Sequence, residues 1–144
     1  MISNKEILKI ANYLIKKLNT NCSVKIIDYR KFKFIAKKSP LISQVLREGF
    51  LFKELNLPAV IYHKKSDNIF LCKEIITKLL KNETKTNQKK FIKAIIIHEL
   101  MHINNRKNLL NFDLNKSIKS EKIVFNKFRK NYPDLFNLSK EILR

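Results

Sequence analysis

Behind Ser3-Asn4-Lys5-Glu6, which reads as a capping box, the residues Ile7, Ile10, Ala11, Leu14, Ile15 and Leu18 recur at intervals of three and four. That spacing predicts a helix with one buried face. Ser23 to Asp28 and then Phe32 to Lys37 are short and rich in β-branched and aromatic residues, which predicts one or two strands ending before Pro40. Leu41 to Arg47 reads as a short helix, and Gly49 as a turn ahead of Phe50 to Phe52. Ala59 to His63 and Asn68 to Cys72 flank the polar stretch Lys64-Lys65-Ser66-Asp67, the layout of a β-hairpin. Helical spacing returns from Glu74 to Lys81 through Ile75, Ile76, Leu79 and Leu80, and Asn82 to Gln88 reads as a polar connector.

Lys89 to about Ile103 places Phe91, Ala94, Ile95, His98 and His102 on one helical face, while Ile92, Ile96 and Ile97 make the other faces apolar too. A helix that is apolar all round belongs in the middle of a core. Asn104-Asn105 is the expected stop, because Asn tolerates the left-handed cap conformation. From Lys116 to Lys130, Ile118, Glu121, Phe125 and Phe128 align at intervals of three and four, and Pro133 introduces a last short helix bearing Leu135, Leu138 and Ile142. With no internal repeat and no linker, residues 1–144 read as one α+β domain.

Composition narrows the classes. Hydrophobic residues make up 44% and charged residues 30%, a globular balance that excludes a disordered chain. No wholly apolar run is longer than the four residues of Ala94 to Ile97, far short of the roughly 18 a spanning helix needs, and the N-terminus lacks a signal-peptide layout. The expectation is a cytoplasmic protein without membrane insertion. Lys plus Arg number 31 against 12 Asp plus Glu, a net charge of +19 that by itself suggests an anionic partner. Of these cations 26 are lysines spread along the whole chain, however, and the five arginines (Arg30, Arg47, Arg106, Arg129, Arg144) form no base-reading cluster. Nucleic acid is therefore a secondary reading. Cys22 and Cys72 have no C-x-x-C spacing and are expected to be reduced, buried thiols.

The candidate chemistry lies on the all-apolar helix, in His98-Glu99-Leu100-Met101-His102. One helical turn separates the two histidines, so both imidazoles project from one face and can hold a zinc ion, with Glu99 beside it. Catalytic zinc takes three protein ligands and keeps a fourth position for water. The third is not a downstream histidine, since none follows His102, and Asn105 and Asn108 stand where a metzincin has glycine and histidine. Glu121, with 18 residues between it and His102, lies on the apolar stripe of its own helix, where a metal would stabilise a carboxylate; Asp113 is the alternative. Tyr132 is a candidate oxyanion stabiliser, although an aromatic filling a helix connector is the plainer reading. His63 reads as an ordinary rim residue.

His98-Glu99-x-x-His102 followed by Glu121 resembles the gluzincin metallopeptidases, at the interval of the aminopeptidase branch and one residue shorter than thermolysin. The resemblance covers Phe91 to about Phe128. Because 42 residues follow His102, the chain looks most like the minigluzincins, compact catalytic domains without a large C-terminal subdomain. The resemblance implies a zincin-like fold, with a small hairpin-bearing sheet packed on an active-site helix, a glutamate helix and a short C-terminal helix. It implies His98, His102 and Glu121 as zinc ligands and Glu99 as general base and acid, in an endopeptidase acting on peptides or unstructured proteins. It further implies latency through self-association or a chain segment in the cleft. Ser120 stands where aminopeptidases place an asparagine, so aminopeptidase specificity does not carry over. An extended substrate is expected to pair with the edge of Ala59 to His63 or Asn68 to Cys72. Two alternatives remain: a basic, nucleic-acid-associated zinc protein resembling SprT-like proteases or lacking catalysis, and a regulatory metalloprotease like the phage-repressor-cleaving group.

Overall fold

The computed structural model describes residues 1–38, 57–63, 66–106 and 114–143, with the side chains of residues 62, 63, 106, 114–118, 120 and 121 outside the description. The expected short helix from Leu41 to Arg47, the turn at Gly49, Phe50 to Phe52 and Asp113 lie outside the described residues.

The N-terminal stripe forms helix α1 (Asn4–Lys17), opened by the expected capping box. The Ser3 hydroxyl accepts from the Glu6 N–H at 3.2 Å, and the Glu6 carboxylate accepts from the Ser3 N–H at 3.4 Å. Asn19 ends the helix with φ of 49°, so that the N–H groups of Asn19 and Thr20 reach back to the Lys16 and Ile15 carbonyls. This satisfies carbonyls that a helix end otherwise leaves open, and a side chain as small and polar as Asn tolerates the conformation.

Strand β1 (Cys22–Ile27) follows, and then the chain departs from its expected course. Tyr29–Ala36 is helix α2, so Phe32 to Lys37 is not a strand. Asp28 caps it, its carboxylate accepting from the Lys31 N–H at 2.8 Å. Burial of Phe32, Ile35 and Ala36 follows helical spacing, while Phe34 stays 65% exposed.

Strands β2 (Ala59–His63) and β3 (Asp67–Cys72) form the expected antiparallel hairpin, with Ala59 opposite Leu71 and His63 opposite Asp67. β3 is central, because β1 pairs with its other side in parallel, Cys22 opposite Asp67 and Ile27 opposite Cys72. Both sides of β3 are thus hydrogen-bonded, and Asn68 to Cys72 cannot offer a free edge; among the described strands that possibility remains for β2. Cys22 and Cys72 lie at opposite ends of the β1–β3 ladder, roughly 16 Å apart at strand rise, too far for a disulfide. Neither is in a disulfide, and only Cys72 is buried as expected, since Cys22 is half-buried.

Helix α3 (Lys73–Leu80) leaves the end of β3, and helix α4 (Lys85–Arg106) is longer at both ends than the apolar pattern suggests. Its start is set by Thr84, whose hydroxyl accepts from the Asn87 N–H at 3.2 Å. It runs through Asn104-Asn105 without stopping there, and the Asn104 side chain is instead held by the Thr20 hydroxyl at 3.2 Å. Buried Gln88 fastens the N-terminus to this helix: its amide oxygen accepts from the Ile2 N–H at 2.8 Å, and its amide nitrogen donates to the Leu80 and Glu83 carbonyls. Helices α5 (Leu114–Asn131) and α6 (Pro133–Ile142) complete the described chain.

The alternation of β3 divides the interior into two layers. Ile69 and Leu71 face α4 and α1, where Phe91, Ile92, Ile96, Leu100 and Ile103 are fully or almost fully buried. Phe70 and Cys72 face α2, against Phe32, Ile35 and Ala36. Each large apolar side chain buried in this way contributes about 1.5–3 kcal/mol, so α4 is the element around which the fold condenses. Among the described residues no helix is long and apolar enough to cross a membrane.

Candidate metal centre

Helix α4 packs against α1 and the sheet over much of its surface, and against α5 and α6 over the rest. His98 and His102 sit where it turns from one set of neighbours to the other, and both are half-buried. Their Nε2 atoms approach to 3.1 Å, with ring centroids 4.8 Å apart and planes at 61°. The spacing of four residues is sufficient to bring the rings together on one face. His98 is further oriented from across the helix pair, because Phe128 of α5 meets its ring edge to face at 5.8 Å. Phe128 is in turn fixed by Phe136 at 6.1 Å and Tyr132 at 6.0 Å, and Phe125 closes on Phe136 at 4.9 Å.

Beside the pair opens a cleft of about 420 Å³. His98 and Glu99 lie on its wall, with Ala94 and Ile95 of α4, Phe125 and Phe136, and Pro58 and Ala59 at the start of β2. Lys140, from the C-terminal helix, lines the same cleft. The chamber is mainly apolar, with His98, Glu99 and Lys140 as its ionisable groups, as binding sites for organic ligands commonly are.

The histidine pair fits a tetrahedral metal. Nitrogens bound at 2.0–2.1 Å to one zinc stand about 3.3 Å from each other, close to the separation seen. The same separation also suits a hydrogen bond between two neutral rings, one protonated at Nε2 and the other not. Both geometries demand that the two nitrogens point at a common place.

Glu121 lies on α5, seven residues and two turns before Phe128 on the same helical face, and its side chain is outside the described residues. Among the described side chains, no group of three His, Cys, Asp or Glu gathers to hold a metal. His98, Glu99 and His102 are therefore the candidate residues whose placement is described together. Asp134 and Glu141 are exposed on α6. Tyr132 precedes α6 as part of the aromatic cluster, and Cys72 belongs to the layer under α2, with its Sγ donating to Glu74 at 3.6 Å.

No family model, curated protein or solved structure matches this chain. The geometry of the site adds residues that motif spacing misses. Phe128 is visible beforehand as a member of the stripe that includes Glu121, but its contact with His98 spans 30 positions of sequence. Phe136 and Lys140 stand four apart on a helix whose apolar pattern, Leu135, Leu138 and Ile142, points elsewhere. Only their shared exposure to one cleft singles them out.

Proposed function

We propose that this chain is a zinc-dependent endopeptidase of gluzincin type. The single observation that carries the reading is the convergence of the His98 and His102 Nε2 atoms at 3.1 Å, with Glu99 on the wall of the adjoining cleft. The H-E-x-x-H spacing, the apolar chamber and the gluzincin-like interval to Glu121 support it.

In this reading His98 and His102 would hold the ion, and Glu121 would complete the ligand set. A zinc ion bound there supplies Lewis-acid polarisation of the scissile carbonyl and lowers the pKa of a bound water towards 7. The Glu99 carboxylate would take up one proton of the attacking water. The same carboxyl would then deliver that proton to the amide nitrogen as the C–N bond breaks, and the water's second proton would pass to the freed amine, leaving a carboxylate and an ammonium. Phe128 holds the His98 ring against rotation, so that its Nε2 stays directed at the shared point. The apolar walls Ala94, Ile95 and Phe136 accept a hydrophobic side chain of the substrate and exclude bulk water.

Metal content after exhaustive dialysis and cleavage of an unfolded protein such as casein test this together. The expected result is about one zinc per chain in the wild type, with marked loss in His98→Ala and Glu121→Ala. Glu99→Ala should retain zinc while losing about 10²–10⁴-fold in cleavage rate. Absence of stoichiometric zinc, or cleavage undiminished in Glu99→Ala, would overturn the proposal.

A further inference from the structure

On the outer face of α1, Lys5, Lys9, Tyr13 and Lys17 follow one another every four residues, and all four are exposed. On α4 the exposed Lys85, Lys89 and Lys93 repeat at the same interval, about 6 Å of helix rise. The two helices pack against each other, and the rows meet across a hollow of about 390 Å³ lined by Glu6, Lys9, Ile10, Tyr13, Lys89 and Lys93. Tyr13 is 62% exposed, and the Lys17 ammonium lies 5.9 Å from the centre of its ring. One carboxylate, Glu6, enters the hollow, and it bridges the rows by pairing with Lys85 at 3.5 Å and Lys89 at 3.8 Å.

We propose that this groove between α1 and α4 binds single-stranded nucleic acid, with phosphates along the lysine rows and a base stacked on Tyr13. A strand's backbone requires a cationic track, and its bases require an exposed aromatic face, which is the combination present. A duplex keeps its bases stacked inside. Two packed helices, with axes about 8–10 Å apart, are too broad to bring Tyr13 to them through a major groove about 12 Å wide that admits one helix. Insertion into a membrane surface needs an amphipathic helix with its apolar face free, whereas Ile7, Ala11 and Leu14 of α1 are buried in the core. The groove is also separate from the histidine pair. Lys89 and His98, like Lys93 and His102, are nine residues or two and a half turns apart, on opposite sides of α4. The inference therefore stands independently of zinc and of hydrolysis.

The test is fluorescence anisotropy with a labelled oligo-dT of about 20 nucleotides at about 0.1 M salt. The wild type should bind in the micromolar range or tighter. The triple variant Lys9→Gln/Lys89→Gln/Lys93→Gln should bind at least about tenfold more weakly, with its salt slope reduced by about 2. An equally charged control, Lys78→Gln/Lys122→Gln/Lys127→Gln on other faces, should stay within about threefold of wild type. Tyr13→Ala should weaken binding by about fivefold or more while Tyr13→Phe preserves it, since the ring and not the hydroxyl does the stacking. Glu6→Gln, which keeps a capping-box side chain on α1, should tighten binding by about twofold or more by freeing Lys85 and Lys89. Thermal melts should show each variant folded. Equal losses in the two triple variants, tighter binding of a duplex of the same length, or binding only to vesicles of phosphatidylcholine and phosphatidylserine would each overturn the proposal.

Discussion

Cys72 ends β3 with no accessible surface, and burial pushes its thiol from an ordinary 9.0 up to about 11. The nearby Glu74 carboxylate acts in the same direction, and the backbone N–H groups of Ile75 and Glu74 oppose it. The folded protein therefore holds the thiol protonated at a pH where the unfolded chain already forms thiolate. Stability from this site is complete below pH 9 and is lost as pH rises towards 11, an effect of about 2–3 kcal/mol. Tyr29, whose phenol is raised by burial and by the Cys72 thiolate, adds to the same alkaline loss. Urea unfolding between about pH 8 and 11 should show a shallower decline for Cys72→Ala than for wild type, and parallel declines would disprove this assignment. The contrast with the histidine pair shows why residue-scale chemistry is unevenly legible. His98, Glu99 and His102 are brought together by four residues of helix, so their spacing in sequence already contains their spacing in the structure. The Cys72 thiol owes its state to Phe32, Val60 and Phe70 from three separate elements, which no local pattern discloses.

Local sequence is ambiguous at the element scale where apolar residues alternate and also fall three and four apart. Phe32 and Phe34 suggest a strand, while Phe32, Ile35 and Ala36 suggest a helix, and the second set is the one buried. The Asp28 carboxylate helps to decide, because it satisfies an N–H at the start of α2 that a strand would have to pair elsewhere. Asp28→Ala should accordingly lower stability by about 1 kcal/mol in urea unfolding, and Asp28→Asn by much less; an unchanged midpoint in Asp28→Ala would show that burial of Phe32 alone suffices. The hairpin and the five other helices were legible because each is defined by a contiguous stretch. The parallel union of β1 with β3 was not, since it joins residues 45 apart and makes central a strand whose own sequence is equally compatible with an edge. Ends of elements were also misjudged where a side chain does the stopping: Thr84 starts α4 earlier, and Thr20 holds Asn104 within it.

For the whole molecule, a charge of +19 on 144 residues acts on the compact state through its own repulsion as well as on any partner. Among the described residues, the attractive pairs from Glu6 to Lys85 and Lys89 are exposed, and such pairs contribute about 0–1 kcal/mol. Repulsion among 31 cations should therefore outweigh them in the response to salt. Raising sodium chloride from about 10 mM to about 0.2 M shortens the Debye length from about 30 Å to less than 10 Å, across the distances between the lysine-bearing faces. The melting temperature is expected to rise over that range, and a flat or falling value would mean that attractive pairs dominate. The same salt series weakens oligonucleotide binding while it stabilises the fold, because one process brings phosphates to the lysines and the other keeps lysines close to one another. Net charge was legible from the sequence, but its disposition was not. Lysines at intervals of four on α1 and on α4 become one groove only because Ala11 and Leu14 on α1 and Phe91 and Ile92 on α4 belong to the same core and hold the two helices side by side.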